Sequence, residues 1–280
     1  MTAMATQVKG PSALGSDWRR LVRLTWVLAV TDFRLKFFGS VLGYLWQLIR
    51  PLMLFGVLYA VFSVFLNFTG PERYYPVALL LGIVLFSFMA EATSGSVRSV
   101  LARESLVRKV DFPRLAVPLS TVSTALFNFA INLVPVFIFL IAAGGRPRWS
   151  WLEVPVLVAF LIVFVTGLAM LLSSLFVRYR DVEPIWEVIL QVMFYASPIF
   201  YTVELVAKKS SNAVAEALIC NPFAAILQQF RHALVDPSHK SPFEILHGGL
   251  IAIPFAAIAI VFVAGAIVFT RAAPRIAEEL

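Results

Sequence analysis

Residues 154–177 read VPVLVAFLIVFVTGLAMLLSSLFV, a run of 24 residues without a charged side chain. At a rise of 1.5 Å per residue, a helix of this length measures ~36 Å, which exceeds the ~30 Å hydrocarbon core of a bilayer. A charge at the centre of a membrane helix costs about 2.5–3.5 kcal/mol. We therefore interpret charge-free windows of this kind as membrane-spanning helices.

Five other windows free of charge occur along the 280 residues. With residues 154–177 they predict an all-α polytopic membrane protein with six transmembrane helices. The predicted spans are drawn around these windows, with ends that differ from theirs by a few residues, at 48–69, 75–97, 115–143, 153–176, 184–201 and 248–270. The fifth span is the shortest, and Pro198 interrupts it.

The composition excludes a soluble protein, because 60% of the residues are hydrophobic and only 14% are charged. In soluble domains about 45–50% of the residues are apolar and about 25% are charged. The single cysteine, Cys220, excludes an internal disulfide and a cysteine-rich metal site. We attribute the net charge of +7 to the positive-inside rule rather than to nucleic-acid binding. Sixteen lysines and arginines fall on the side of the N-terminus and seven on the other, which predicts that both termini are cytoplasmic. We see no cleavable signal peptide.

Two segments are neither spans nor simple loops. Residues 18–38 have apolar side chains at helical spacing, among them Trp18 and Trp26, with Arg34 on another face and Lys36 nearby. This pattern predicts an amphipathic helix at the membrane interface, whose simplest role is that of an anchor. Residues 203–235 contain short apolar stretches separated at Asn221-Pro222. They predict re-entrant or surface helices on the outer side, the alternative being an ordinary folded loop.

The loop between the second and third spans, RSVLARESLVRKVDFPR at 98–114, alternates basic and apolar residues. It predicts a short cytoplasmic amphipathic helix at about 99–112 that ends at Phe112-Pro113. Two interpretations of this segment are open. It is either a positively charged loop that only sets the membrane topology, or a lever that docks on a soluble partner.

No catalytic motif accompanies these helices. The sequence has no phosphate-binding loop, no H-E-x-x-H pair and no G-x-S-x-G elbow, so we predict no catalytic residue, metal site or cofactor in this chain. Glu91 is the one carboxylate that lies more than a helical turn inside a predicted span, and we place it at the cytoplasmic end. At that position the Glu91 carboxylate would either extend to the polar membrane interface or form an ion pair with Arg98.

Aromatic and polar side chains recur on single faces of three predicted spans. Rings can stack on the apolar faces of sugars, while Tyr, Gln and Asn can bond to hydroxyls. The alternative is that these side chains only pack neighbouring helices. The candidates for a substrate pathway are Phe55, Tyr59, Phe62, Asn128, Asn132, Gln191, Phe194 and Tyr195.

Three separate blocks resemble the membrane subunits of ABC-2-type polysaccharide exporters, the group that includes O-antigen, capsule, teichoic acid and galactan exporters. The blocks are FRLKFFGSVLGYLWQLIRPL at 33–52, SLVRKVDFPRLAVPLS at 105–120 and VRYRDVEPIWEVILQVMFYASPIFY at 177–201. Asn221-Pro222 and Arg231 follow in the order typical of the family. Phe86 departs from the pattern, because many relatives have Trp there.

The resemblance implies a pore made by two copies of the chain, with two ATPase subunits on separate chains that bind ATP and Mg²⁺. It implies a polyprenyl-linked polysaccharide as the substrate and the bacterial plasma (inner) membrane as the location. The residues implied to couple to the ATPase are Glu104, Ser105, Leu106, Arg108, Lys109, Asp111, Phe112 and Pro113. The implied gate residues are Trp18, Trp26, Arg34, Lys36, Ser197, Pro198, Asn221 and Pro222.

In this plan residues 1–17 form a flexible N-terminus, 18–38 the gate helix, 44–271 the transmembrane domain and 272–280 a cytoplasmic tail. Three other functions stay open: an ABC-2 permease for a drug or lipid, an intramembrane enzyme such as a glycosyltransferase, and a membrane scaffold. The enzyme would need an acidic or metal site facing a cavity.

Overall fold

The computed structural model describes residues 18–37, 43–66, 74–103 and 113–273. Throughout these four ranges all regular secondary structure is helical. The predicted flexible segment 1–17 and residues 274–280 of the predicted tail lie outside them. The long helices are α1 (Trp18–Phe37), α2 (Gly43–Tyr59, continued by a π-helical turn, Ala60–Phe65), α3 (Tyr75–Ala102), α4 (Ala116–Ala142), α5 (Val154–Arg178) and α6 (Val182–Ala196).

Short 3-10 turns, Trp149–Glu153 and Gly248–Ile251, precede the fifth and the last α-helix. The remaining α-helices follow α6. They are α7 (Val203–Lys209), α8 (Asn212–Ile219), α9 (Pro222–Phe230, continued by a π-helical turn, Arg231–Val235), α10 (Pro242–Ile245) and α11 (Ala252–Ala272). Helices α7–α9 cover one end of the bundle, which we call the capped end. At the other end α3 and α5 finish beside Arg98, Arg103 and Arg178, and we call this the basic end.

Helix α3 forms the centre of the bundle, since nearly every side chain between Val77 and Met89 is buried. It packs against α4 and α5, α2 lies along it, and α11 packs along α5. Helix α1 lies against α4 at the basic end. The core is therefore continuous through α3, α4 and α5, whereas α2 and α6 leave one face exposed, with Met53, Val57, Val188 and Val192 each at least 60% accessible.

Five helical segments in the described part of the chain are long and apolar enough to cross a membrane, and a bent pair of helices raises the number to six. The five are 45–65, 75–102, 116–142, 149–178 and 248–272, and the pair is Asn212–Ile219 with Pro222–Val235, bent by 99°. Five of the six expected spans are thus matched by such helices, whereas the sixth candidate is the bent pair and not the predicted fifth span.

The predicted fifth span is the one that differs. Helix α6 has 15 residues, or ~22 Å, which is shorter than the bilayer core. It ends at Ala196 rather than at 201, because Pro198 favours an extended residue before it and Ser197 has φ −91° and ψ 147°. Trp186 Nε1 donates to Thr93 Oγ1 at 3.0 Å and fixes α6 to α3.

The second span is longer than expected, since α3 continues past 97 to Ala102. Residues 99–102 therefore belong to α3 and do not start a separate coupling helix. The serine side chains do not interrupt the helix, because Ser96 donates to the Ala92 carbonyl, four residues earlier, and Ser99 to the Ser96 carbonyl, three residues earlier. The rest of the predicted coupling helix, 104–112, lies outside the described residues.

Helices α5 and α11 cross at two glycines. A β-carbon built on Gly265 would lie 2.2 Å from the carbonyl oxygen of Gly167, and one built on Gly167 would lie 2.7 Å from Cα of Phe262. Contacts of backbone on backbone at these distances require glycine at both positions.

Candidate functional site: an aromatic surface and two charged contacts

The aromatic residues predicted to line a pathway meet at the capped end, around a residue that the sequence did not single out. The Phe200 ring lies 4.8 Å from the Phe62 ring of α2, nearly parallel to it at 25°. It also lies 6.3 Å from Phe194 and 6.0 Å from Tyr195, both on α6, and 5.1 Å from Tyr201. We call these five residues the Phe200 cluster. The cluster joins α2 to α6, and Tyr195 is 59% exposed at its edge.

A second group of rings extends from α2 into the bundle. Tyr59 stacks on Phe55 at 5.7 Å and on Tyr75 of α3 at 6.5 Å. Phe55 is buried and meets Phe139 of α4 edge-on at 5.4 Å. Of the predicted pathway residues on α2, Tyr59 and Phe62 are therefore partly exposed and Phe55 is part of the core of this chain. Gln191 is exposed on α6, one helical turn before Tyr195.

Phe86 is a core residue, 9% exposed. Its ring lies 5.0 Å from Phe194 and 5.7 Å from Phe223 of α9. It thereby packs the back of the Phe200 cluster against the cap. The departure from Trp at this position leaves an aromatic packing role intact.

The asparagine pair of the third span is buried. Asn128 is 0% and Asn132 is 4% exposed, both on α4. The Asn128 side-chain amide donates to Glu91 Oε1 of α3 at 2.5 Å, and Lys36 Nζ of α1 donates to the same oxygen at 2.5 Å. These three side chains tie α1, α3 and α4 together, and we call them the Glu91 triad.

The expected partner of Glu91 is wrong. Glu91 lies within α3, which continues to Ala102. Its cation is Lys36 rather than Arg98, because Arg98 pairs with Glu183 at the start of α6 at 2.6 Å. A carboxylate inside such an apolar helix needs partners, and the triad supplies them.

A second charged contact holds the middle of α1. Arg103 at the end of α3 pairs with Asp32 of α1 and also donates to Ser120 Oγ of α4 at 3.3 Å. Leu21 and Ala29 are the buried residues of α1. Trp18 and Trp26, predicted gate residues, are 67% and 60% exposed, although the Trp26 ring also meets Phe127 at 5.5 Å. Arg34 and Lys36 are exposed near the end of α1.

The predicted gate residues at the capped end are found in turns. Ser197 and Pro198 are buried in the turn after α6. Asn221 caps α9, since its Oδ1 accepts a hydrogen bond from the Phe223 backbone amide at 3.0 Å, and Pro222 occupies the first helical position. Both residue types are favoured at those two positions of a helix.

We expect Asn221→Ala to destabilise the cap by about 1 kcal/mol, because the substitution leaves an amide of α9 without its side-chain acceptor. The midpoint of thermal unfolding of the purified protein, followed by circular dichroism, should fall. Asn221→Asp keeps an acceptor oxygen and should behave like the unsubstituted protein. An equal loss in both variants would contradict the capping role.

The capped end also has a buried polar contact. Gln228 donates to Glu204 Oε1 at 3.2 Å and to the Lys240 carbonyl at 2.8 Å, so α7 and α9 are joined to the loop that follows. His239 lies 4.0 Å from Glu204. Burial, and then the nearby Arg231, lowers the pKa of the His239 imidazole, so at neutral pH the ring is uncharged and this contact is not an ion pair.

Of the predicted coupling residues, Pro113 alone is described, and it is buried just before α4. Glu104, Ser105, Leu106, Arg108, Lys109, Asp111 and Phe112 lie outside the described residues. Within the four described ranges no group of three His, Cys, Asp or Glu side chains could hold a metal ion.

Comparison with known proteins places these features in a family. Residues 23–235 match the family model described as ABC-2 type transporter. The chain is 27% identical over 211 residues to the O-antigen export system permease protein RfbA of Klebsiella pneumoniae, covering 75% of this chain and 79% of that protein. It is 26% identical to the permease of the same name from Myxococcus xanthus, covering 77% and 80%. It is 21% identical to the polysialic acid transport protein KpsM of Escherichia coli, covering 74% and 80%.

The matched region begins within α1 and ends with the π-helical turn after α9, so it contains the Phe200 cluster, the Glu91 triad and the cap. Three quarters of the sequence is covered by one family model, and all the helices that form the aromatic surface lie inside it. The chain belongs to the ABC-2 type transporter family, as a multi-pass membrane protein.

Proposed function

We propose that this chain is the channel-forming subunit of an ATP-driven exporter that moves a lipid-linked polysaccharide out of the cytoplasm. The observation that carries the proposal is the aromatic surface formed by α2, α6 and Phe200, in a chain whose relatives are named for O-antigen export and polysialic acid transport. Rings exposed at the surface of a pathway can stack on sugar units without fixing one sugar tightly, which suits a moving polymer.

A second copy of the chain is required by this proposal. Helices α2 and α6 leave apolar faces exposed, and Tyr195 and Gln191 open onto the same side as these faces. Two such faces opposed across a two-fold axis would enclose a pathway with aromatic walls. A single copy has only one wall.

The energy comes from a separate ATPase, which the family implies. In the proposed assembly two ATPase subunits bind at the basic end and hold ATP and Mg²⁺. Residues 104–113 follow α3 directly, and their basic residues Arg108 and Lys109 would dock on the ATPase. Closure of the ATPase would then pull on the end of α3, the central helix of the bundle.

The helices at the two ends would act as gates. Helix α1 would lie in the inner membrane interface of a bacterial cell, with Trp18 and Trp26 at the lipid headgroups and the lipid-linked end of the substrate entering beside it. Helices α7–α9 would close the outer exit. The bend of 99° between α8 and α9 supports a re-entrant cap, because two short helices at such an angle can enter the membrane and leave it on the same side.

The test is co-purification from native membranes. The tagged chain should bring down a stoichiometric ATPase subunit, and the complex should move polysaccharide into the lumen of inverted vesicles only with ATP. Arg108→Glu with Lys109→Glu should weaken ATPase binding by about 30-fold or more, the effect of losing a central interface contact. Lys208→Glu, a charge reversal at the capped end, is the control and should bind normally.

Two results would oppose the proposal. Isolation of the chain without any ATPase would remove the energy source. ATP-dependent movement of a drug or lipid, with no polysaccharide exported, would favour the alternative ABC-2 permease. Glycosyl transfer by the purified chain alone would favour the enzyme.

A further inference from the structure

Three successive carbonyls after α6 are each held by a side chain. Arg231 Nη2 donates to the Ile199 carbonyl at 2.7 Å, and Arg231 Nη1 donates to the Tyr201 carbonyl at 3.2 Å. The Tyr75 hydroxyl donates to the Phe200 carbonyl, between them, at 2.9 Å. Residues 199–201 are therefore fixed by α3 and by the turn that ends α9.

The geometry of arginine suits this contact. A guanidinium group has several donors in one plane, so a single side chain can hold two carbonyls two residues apart. Arg231 is 1% exposed, and donors that carry a charge form stronger hydrogen bonds than neutral ones. The residue begins the π-helical turn Arg231–Val235, and such turns are often found at functional sites.

The segment that these side chains fix carries two rings of the Phe200 cluster, Phe200 and Tyr201. Ile199 is buried at 0% exposure, whereas Phe200 is half-buried and forms the centre of the Phe200 cluster. A non-helical backbone beside a membrane is stable only if its polar groups are satisfied within the protein. Arg231 and Tyr75 satisfy them, and the orientation of the Phe200 ring follows from the backbone that they fix.

We infer that Arg231 and Tyr75 are positioning residues for transport, and that they hold Phe200 as a rigid stacking surface for sugar units near the pathway exit. The inference rests on the proposed function, since it names the element that contacts the sugar polymer. Phe62, Phe194 and Tyr195 are attached to helices by their own backbone. Phe200 lies on a turn, and its position depends on the three carbonyl contacts.

The most specific test is the Tyr75→Phe variant, which removes the hydroxyl that donates to the Phe200 carbonyl and keeps the ring that stacks on Tyr59. In the full complex with its ATPase, reconstituted in vesicles, we expect ATP-driven polysaccharide export to fall about threefold to tenfold, the effect of one hydrogen bond. Arg231→Met should cause a larger loss, and Arg231→Lys an intermediate one. Ser174→Ala removes a hydroxyl that donates within α5, to the Leu171 carbonyl at 2.9 Å, and is the control that should export normally.

A double substitution separates positioning from a general effect on folding. Phe200→Ala removes the ring, and afterwards Tyr75→Phe should cause no further loss of export, because no ring remains to be positioned. A merely structural hydrogen bond would reduce export by the same factor with or without the ring. Full additivity of the two substitutions, or normal export by Tyr75→Phe, would overturn the inference.

The unsubstituted complex alone tests the proposed function, so a failure of that proposal is distinguished from a failure of the positioning role. If the unsubstituted complex hydrolyses ATP but exports no polysaccharide, the proposal about the substrate fails. If it exports polysaccharide and the Tyr75→Phe variant exports equally well, only the positioning role fails.

Discussion

Gly265→Leu is expected to prevent α5 and α11 from packing and to remove most of the folded protein from the membrane. A β-carbon at Gly265 would lie 2.2 Å from the Gly167 carbonyl oxygen and 3.0 Å from the carbonyl carbon. Both contacts are to backbone, so no side-chain rotation can relieve them. Overpacking of a core typically costs about 1–3 kcal/mol, and contacts of backbone on backbone should cost more, against a total stability of about 5–15 kcal/mol.

The measurement is the yield of monodisperse protein by fluorescence-detected gel filtration after detergent extraction. Gly265→Ala already introduces the offending carbon and should lose a large part of the yield. Gly249→Ala is the control, because no atom lies within 4 Å of a β-carbon there and the residue lies in the 3-10 turn Gly248–Ile251 that leads into the same helix. Equal yields for Gly249→Ala and Gly265→Ala would show that the two helices do not cross at these glycines.

The spans were predictable because the cost of a buried charge marks them directly in the sequence. The end of α6 was predictable only approximately, since Pro198 indicates a break but not that helicity stops at Ala196. The extension of α3 to Ala102 was missed because the basic residues after Val97 were read as the start of a loop. Charge marks the boundary of the apolar region, whereas a helix can continue into the polar one.

The candidate site was predictable only in part, for a physical reason. Helical spacing identifies residues that share a face of one helix, as for Phe194 and Gln191 of α6. It does not identify Phe200, which lies on a turn and meets Phe62 through tertiary packing alone. The same holds for Glu91, whose partners on α1 and α4 are distant in sequence. Arg98 is closer in sequence, but Glu183 is its partner in the folded chain.

The other large effect is expected at the Glu91 triad. Glu91→Lys would place two ammonium groups where Lys36 Nζ and Glu91 Oε1 now lie 2.5 Å apart, and it would remove the acceptor of the Asn128 amide. We expect the end of α1 to leave the bundle and polysaccharide export to fall roughly tenfold, the effect of a pair that is intermediate between exposed and buried. Lys36→Glu combined with Glu91→Lys restores opposite charges and should recover most of the export.

The position of α1 can be measured independently of export. In a Cys220→Ser background, Ala29→Cys introduces a thiol at a position that is 0% exposed against α4. A soluble maleimide should leave it unlabelled in the parent, label it after Glu91→Lys, and leave it unlabelled again when the charges are exchanged. Val22→Cys, at a position that is 50% exposed, should be labelled in all three proteins.

The two readouts together decide what the ion pair does. Labelling that rises as export falls would show that the pair holds α1 against the bundle and that this contact is needed for transport. Export that falls while Ala29→Cys stays protected would show that Asp32 and Arg103 suffice to hold α1, and that the loss arises at Glu91 itself. Normal export with normal protection would contradict any role for the triad, because a second ammonium group beside Lys36 would then cost nothing measurable.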